Sequence, residues 1–240
     1  MLVNQIPVLG IILGDHAGSS PEMAAKAVLA AKGCYIPVFT GNLERFQISC
    51  HHVEGAERLQ IRPLEGRPSE GGEDIVYFCD IPAGPDIHFS TVTADSGKLM
   101  YDSMVKMIEL ERAGIVDGFS MAPITKAGFH AAGLPYNSEF ELFADLYGVA
   151  NVSSVVKCEN VFRSTVVGHC AFRDIVDRLT TDGIIRTAHN LLHVMGAFLP
   201  KEKCRIAVAA LNPHAGEDGL FGDEEHTIIQ PAIDHLLEEG

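Results

Sequence analysis

Short apolar runs alternate with amphipathic stretches along this chain, the order expected when strands and helices take turns in a layered α/β protein. The first run, Ile6 to Leu13, is almost unbroken and predicts a strand buried on both faces. Gly14-Asp15-His16-Ala17-Gly18-Ser19-Ser20 interrupts it, and Pro21-Glu22 opens an alanine-rich helix over Met23 to Ala31. Proline suits a first helical turn because its missing N–H would be unpaired there in any case. Ile36 to Thr40 predicts a second strand. Residues 41–93 carry a weaker pattern, in which Ile75 to Cys79 predicts a strand and Gly66 to Asp74 a polar surface loop. Asp95 to Ala113 predicts a helix, with Met100, Met104, Met107 and Ile108 at helical spacing as core filler rather than a ligand set.

Gly118 to Ala122 predicts another strand, and Pro123-Ile124-Thr125-Lys126 turns from it into a helix. Further strands are expected over Ser154 to Cys158, Ser164 to Gly168 and Arg205 to Leu211, with a long helix over Thr181 to Leu199 and a last one from Asp223. A βα pattern normally runs on into a further strand, so the region is expected to continue past Gly240. No internal repeat or low-complexity linker breaks the pattern.

Composition narrows the function classes. The 240 residues are 47% hydrophobic, which excludes disordered and collagen-like chains. Acidic side chains outnumber basic ones by 32 to 18, a net charge of −14, and this argues against nucleic acid or an anionic membrane as partner. No apolar run is long enough to cross a bilayer, and the first residues lack the basic region of a signal peptide. Six scattered cysteines without a CxxC pair read as reduced thiols, so a cytoplasmic protein is expected.

In open α/β sheets, ligands gather beyond the carboxyl ends of the strands. Four polar clusters hold such positions: Gly14 to Ser20, Pro123 to Lys126, His169 and His214. The two histidines each follow a predicted strand and could share one cleft. Two imidazoles make an incomplete metal site, since zinc usually takes at least three protein ligands, so a hydrogen-bonded loop histidine is the competing reading. The Gly14 to Ser20 turn fits neither the dinucleotide fingerprint nor the P-loop. Lys126 could neutralise a substrate anion or shuttle a proton, or be an ordinary solvated lysine. Asn137-Ser138-Glu139 offers neutral hydrogen-bonding groups before a helix, where Ser138 could also be an N-cap.

Gly14-Asp15-His16-Ala17-Gly18-Ser19-Ser20-Pro21-Glu22 resembles the opening motif of the 4-hydroxythreonine-4-phosphate dehydrogenase (PdxA) family. So do Ser96-Gly97-Lys98, the stretch Ala113 to Gly118, Ala122 to Lys126 and His130-Ala131-Ala132-Gly133. Leu211-Asn212-Pro213-His214-Ala215-Gly216-Glu217, followed by Gly219-Leu220-Phe221-Gly222, is the most specific match. The resemblance implies a three-layer α/β/α fold like that of isocitrate and isopropylmalate dehydrogenases. Residues 1–240 would form one region of two interleaved lobes around a central cleft, with the family domain's C-terminal part missing after 240. It implies oxidation of a secondary alcohol by NAD or NADP, then decarboxylation. It also implies a homodimer with a divalent metal (zinc, magnesium or manganese) at the interface.

By motif position His169 and His214 match two of the metal ligands, and the third lies in a segment this chain does not contain. Such a metal would lower the substrate alcohol's pKa and stabilise the enolate formed as carbon dioxide leaves. Lys126 is the candidate catalytic residue, and Asn137 and Ser138 are the candidate substrate-binding pair. Asn137 and Ser138 stand where the family usually has His-Thr, and His16 and Ser19-Ser20 also depart from its opening motif. The alternatives are therefore the same chemistry on a dihydrodiol carboxylate or a four-carbon sugar acid phosphate, or a non-catalytic ligand-binding relative.

Overall fold

A computed structural model describes residues 6–150, 152–168, 170–200, 202 and 204–240. The chain forms two compact units, Met1–Ala150 and Asn151–Gly240. The first is built on a parallel five-stranded sheet of β1 (Val8–Ile12), β2 (Ile36–Gly41), β3 (Gln60–Pro63), β4 (Ile75–Asp80) and β5 (Gly118–Met121), in the order β3-β4-β2-β1-β5. Helices α1 (Ser20–Ala31), α2 (Leu43–Cys50), α3 (Ala94–Arg112), α4 (Lys126–Ala131) and α5 (Glu139–Tyr147) cover it.

Alternation of side chains along a strand sorts the apolar residues onto two faces. Ile11, Leu13, Phe39, Val76 and Phe78 face one helical layer, packing with Ala24, Ala25 and Val28 of α1 and Phe46 of α2. Val8, Ile12, Ile36 and Val38 face the other, packing with Met100, Met104 and Met107 of α3, Phe129 of α4 and Leu142 of α5. This is the expected three-layer α/β/α arrangement, with the methionines in the core. Each fully buried side chain of this size contributes roughly 1.5–3 kcal/mol through water exclusion.

The first unit also holds elements that its sequence pattern leaves faint. Helix α2 buries only Phe46 and Ser49, although Asn42 caps it by accepting from Arg45 N at 3.1 Å. Strand β3 lies at the sheet edge with no fully buried residue. Helix α3 starts at a capping box in which Thr93 Oγ1 accepts from Ser96 N and Ser96 Oγ accepts from Thr93 N, at 3.1 and 3.0 Å.

In the second unit β6 (Val155–Cys158) and β7 (Val161–Ser164) form an antiparallel hairpin, followed by α6 (Ile175–Arg178), α7 (Thr181–Gly196) and α8 (Gln230–Glu239). Thr180 caps α7, which buries Ile184, Ala188, Leu191 and Met195. Two strand expectations fail here. The strand expected over Ser164 to Gly168 lies earlier, at β7, because the tight turn pairs Cys158 with Val161 and the ladder runs out where Val155 meets Ser164. Arg205 to Leu211 is not a strand: Val208 and Leu211 pack against the unit's core cluster, but among the described residues no neighbouring strand supplies a ladder. The last helical segment starts beside Asp223 as expected, Glu224 and a π turn over Glu225–Ile229 running directly into α8.

Gly97 of α3 and Gly128 of α4 let the two helices meet backbone to backbone. A Cβ at 97 would lie well inside van der Waals contact of the Gly128 carbonyl oxygen. Gly97→Ala should therefore lower stability by about 1–3 kcal/mol, read as the urea midpoint. Gly196→Ala, at a helical position with open space around it, should raise stability by up to about 1 kcal/mol. Equal midpoints for the two variants would refute the close-packing account.

Candidate active site

Strand β1 pairs with β2 on one side and β5 on the other, all parallel, so the three carboxyl ends lie on one edge of the sheet. The chain leaves β1 toward β2 and later returns on its far side at β5, which makes the β1/β5 boundary the topological switch point. Two of the expected polar clusters meet there, the loop after β1 and the loop after β5.

Short hydrogen bonds join these loops. Asp15 N donates to Pro123 O at 3.0 Å, and Ser20 Oγ donates to the same carbonyl at 2.7 Å. Thr125 Oγ1 donates to Asp15 Oδ2 at 2.6 Å, while Asp15 Oδ1 accepts from Ala17 N at 2.9 Å. Gly14 has φ +66°, and a Cβ there would collide with the carbonyls of Ala122 and Pro123. Gly14 thus serves a close backbone approach. Cofactor phosphates are assigned to no residue of this loop.

His16 is part of this scaffold. It is fully buried, its Nε2 accepting from Asn42 N at 3.0 Å and its Nδ1 lying 3.0 Å from Gly14 O. A ring accepting through Nε2 carries its proton on Nδ1, so the imidazole is neutral and donates to Gly14. Burial pushes its pKa down to about 4.

Lys126 is the first residue of α4, and its Nζ lies 3.5 Å from Glu139 Oε2. Ser138 is the N-cap of α5, its Oγ accepting from Glu141 N at 3.2 Å, so its side chain has a structural task. Asn137 donates its backbone N–H to Glu141 Oε2 at 2.7 Å. Lys126, Asn137 and Ser138 are thus gathered around the start of α5, whose first turn carries both acids. Sequence reasoning missed Glu139 as the partner of Lys126. The available signal was an acid directly after a helix-capping serine, which favours the first turn electrostatically. A cavity of about 220 Å³ beside this edge is lined by Leu9, Ile11, Met23, Tyr35, Ser120 and Pro123 among others, with no charged side chain in its lining.

In the second unit, His214 sits on a turn over Pro213–Gly216 with φ 55° and ψ 24°, a left-handed conformation costly for a residue with a side chain. The turn is anchored by Asn212, whose N donates to Glu225 Oε1 at 2.8 Å and whose Nδ2 donates to Phe221 O at 3.0 Å. The Asn212 N–H holds the Glu225 carboxyl below its usual range. His214 does not follow a strand, contrary to expectation, because Arg205 to Leu211 has no ladder. His169 lies outside the described residues. Among the described residues, no three His, Cys, Asp or Glu side chains gather as metal ligands.

A family model described as "Pyridoxal phosphate biosynthetic protein PdxA" matches residues 25–240. The chain is 33% identical over 239 residues to a 4-hydroxythreonine-4-phosphate dehydrogenase of Beijerinckia indica, covering 97% of this chain and 68% of that protein. It is also 33% identical over 246 residues to a D-threonate 4-phosphate dehydrogenase of Salmonella typhimurium, covering 97% of this chain and 72% of that one. A solved 4-hydroxythreonine-4-phosphate dehydrogenase of Klebsiella pneumoniae superposes with a TM-score of 0.85 at 26% identity, covering 99% of this chain and 72% of that one. The fold is accordingly of the isocitrate/isopropylmalate dehydrogenase type.

The buried neutral His16 makes a pH prediction. Its folded pKa of about 4 lies below the ordinary 6.5, so between those values the unfolded chain binds a proton that the folded chain does not. Stability contributed by His16 should be complete above about pH 6.5 and fall as pH drops toward 4, by about 3 kcal/mol in all. Unfolding free energies across that window should show a shallower slope for His16→Gln. An unchanged slope would show that His16 is already protonated in the folded protein.

Proposed function

The chain belongs to the PdxA family, and on that footing we propose that it oxidises, and then decarboxylates, a phosphorylated four-carbon hydroxy acid. It is an oxidoreductase acting on a CH–OH group, with a nicotinamide cofactor as the hydride acceptor. The observation that carries the reading is similarity along nearly the whole chain to two relatives whose names share that substrate class. Of the two named acids, D-threonate 4-phosphate is the preferred substrate. The neutral amide of Asn137 can hydrogen-bond a substrate hydroxyl but cannot titrate as the imidazole usual at this position in the family would.

Oxidation removes a hydride from the carbinol carbon and releases the proton of its oxygen to solvent water, leaving a ketone β to the carboxylate. The carbon–carbon bond to the carboxylate then breaks, its electron pair passes into the enolate, carbon dioxide departs, and the enolate takes up a proton at carbon. Lys126 Nζ holds the developing negative charge on the reacting oxygen, and its proton is available to the enolate. Glu139 keeps that ammonium directed while the site is empty. Asn137 and Ser138 bind the substrate's polar groups, Ser138 in addition to its capping role. The reading extends to a cytoplasmic homodimer using NAD or NADP. A divalent metal (zinc, magnesium or manganese) on His169 and His214 at the dimer interface is supported by sequence position alone, and no step is assigned to it.

Turnover of both named acids, followed by NADH absorbance, tests the reading. Lys126→Ala should lower kcat/KM by about 10²–10⁴. Asn137→His should shift the ratio of kcat/KM values toward 4-hydroxythreonine-4-phosphate. Parental turnover in Lys126→Ala would remove that residue from the mechanism, and an unmoved ratio in Asn137→His would remove Asn137 from substrate choice.

A further inference from the structure

The start of α4 is arranged at the expense of its own helix. Thr125 stands at the N-cap position with φ −112° and ψ 111°, yet its hydroxyl makes no capping bond. An N-cap threonine ordinarily satisfies one of the helix's free N–H groups through that oxygen. Here the hydroxyl points its proton at Asp15 Oδ2, 2.6 Å away on the neighbouring strand's loop. The next residue is Lys126, a cation at the positive end of a helix. Two choices unfavourable to the helix, side by side, mark a segment shaped by a requirement other than stability.

Asp15 is well placed to receive that bond. Its second carboxylate oxygen is taken by Ala17 N at 2.9 Å, and its own N–H is fixed to Pro123 O at 3.0 Å. The carboxylate is therefore locked onto the end of β1, the strand buried on both faces. Lys126 is held at its tip by Glu139 Oε2, 3.5 Å from Nζ. Just before its root, the Thr125 hydroxyl is tied to Asp15 and the Pro123 carbonyl to Ser20 Oγ.

We propose that Asp15 is a positioning residue: acting through the Thr125 hydroxyl, it fixes the first turn of α4 and so the direction from which Lys126 Nζ meets the substrate. This rests on the reading of Lys126 as the catalytic residue. The bond supplies pre-organisation rather than chemistry, because neither Asp15 nor Thr125 need touch the reacting atoms.

The test uses the full-length protein, turning over whichever of the two phosphorylated acids is the better substrate. Thr125→Val keeps the side chain's shape and removes its donor. It should lower kcat about 10–100-fold with KM held within about twofold, as expected when a reactive group is displaced by about an ångström. Thr125→Ser, which keeps the hydroxyl, should return kcat to within about threefold of the parent. The double variant Asp15→Ala/Thr125→Val should fall no further than Asp15→Ala alone, which already cuts the Thr125 bond along with the one from Ala17 N. In a Lys126→Ala background, Thr125→Val should change turnover no further. A readout independent of turnover is the rate at which acetic anhydride acetylates Lys126, read by peptide mass spectrometry. That rate should change in Thr125→Val, return in Thr125→Ser, and leave Lys98 unaffected.

Parental kcat and parental Lys126 acetylation in Thr125→Val, beside a crippled Lys126→Ala, would overturn the positioning role alone. So would additive losses in the double variant. Parental turnover in Lys126→Ala would overturn the catalytic reading itself, and this proposal with it.

Discussion

The carbonyl of Pro123 accepts two hydrogen bonds, from the backbone N–H of Asp15 and from the hydroxyl of Ser20, and through them the loops after β1 and β5 become one rigid edge. Both lone pairs of that oxygen are used, so neither loop can shift without leaving a polar group unpaired. Much else follows from this join. Gly14 must be glycine because the backbones approach so closely, and α1 must start at Ser20 because its hydroxyl is committed across the join. The sheet sets where β1 and β5 end, and the join turns those two ends into a platform from which α4 departs.

The platform carries a charge balance unusual in so acidic a protein. With a net charge of −14, the molecule as a whole repels anions, and binding a phosphorylated acid requires a local cation. In the proposed reading Lys126 is that cation, and Glu139 beside it leaves the immediate pair neutral. The pair is half exposed on the lysine side, so its Coulomb attraction is screened and worth little as a stabilising salt bridge. An anion with hydrogen bonds of its own to offer can therefore compete for the ammonium.

Much of the first unit was legible in the sequence because its signals were local and strong. The unbroken run at β1, the proline opening α1 and the methionines of α3 at helical spacing each identify an element within a dozen or so residues. Helix α2 and strand β3 were not legible. One buries only Phe46 and Ser49, and the other is an edge strand without a fully buried residue, so neither leaves a hydrophobic period to find. In the second unit the apolar run over Arg205 to Leu211 was visible, but whether it is a strand depends on a partner that no local pattern reveals. The site divides in the same way. Lys126 could be placed from the strand and turn before it, whereas the Thr125–Asp15 bond joins residues 110 positions apart and leaves no trace in spacing.

Methionine packing in α3 has a chemical consequence. The thioethers of Met104 and Met107 are fully buried, and Met107 lies so tightly on the sheet that Gly10 beneath it has no room for a Cβ. A peroxide cannot reach those sulfurs while the helical layer is in place, and a sulfoxide oxygen would have no space there. Met23, about half exposed on α1, is open to the same reagent in the folded protein. Oxidant thus separates the methionines by what must happen first: Met23 reacts at the pace of its own chemistry, while Met104 and Met107 react only as often as α3 lifts from the sheet. The ratio of the two sulfoxides in aged protein is then a built-in record of how often that layer opens.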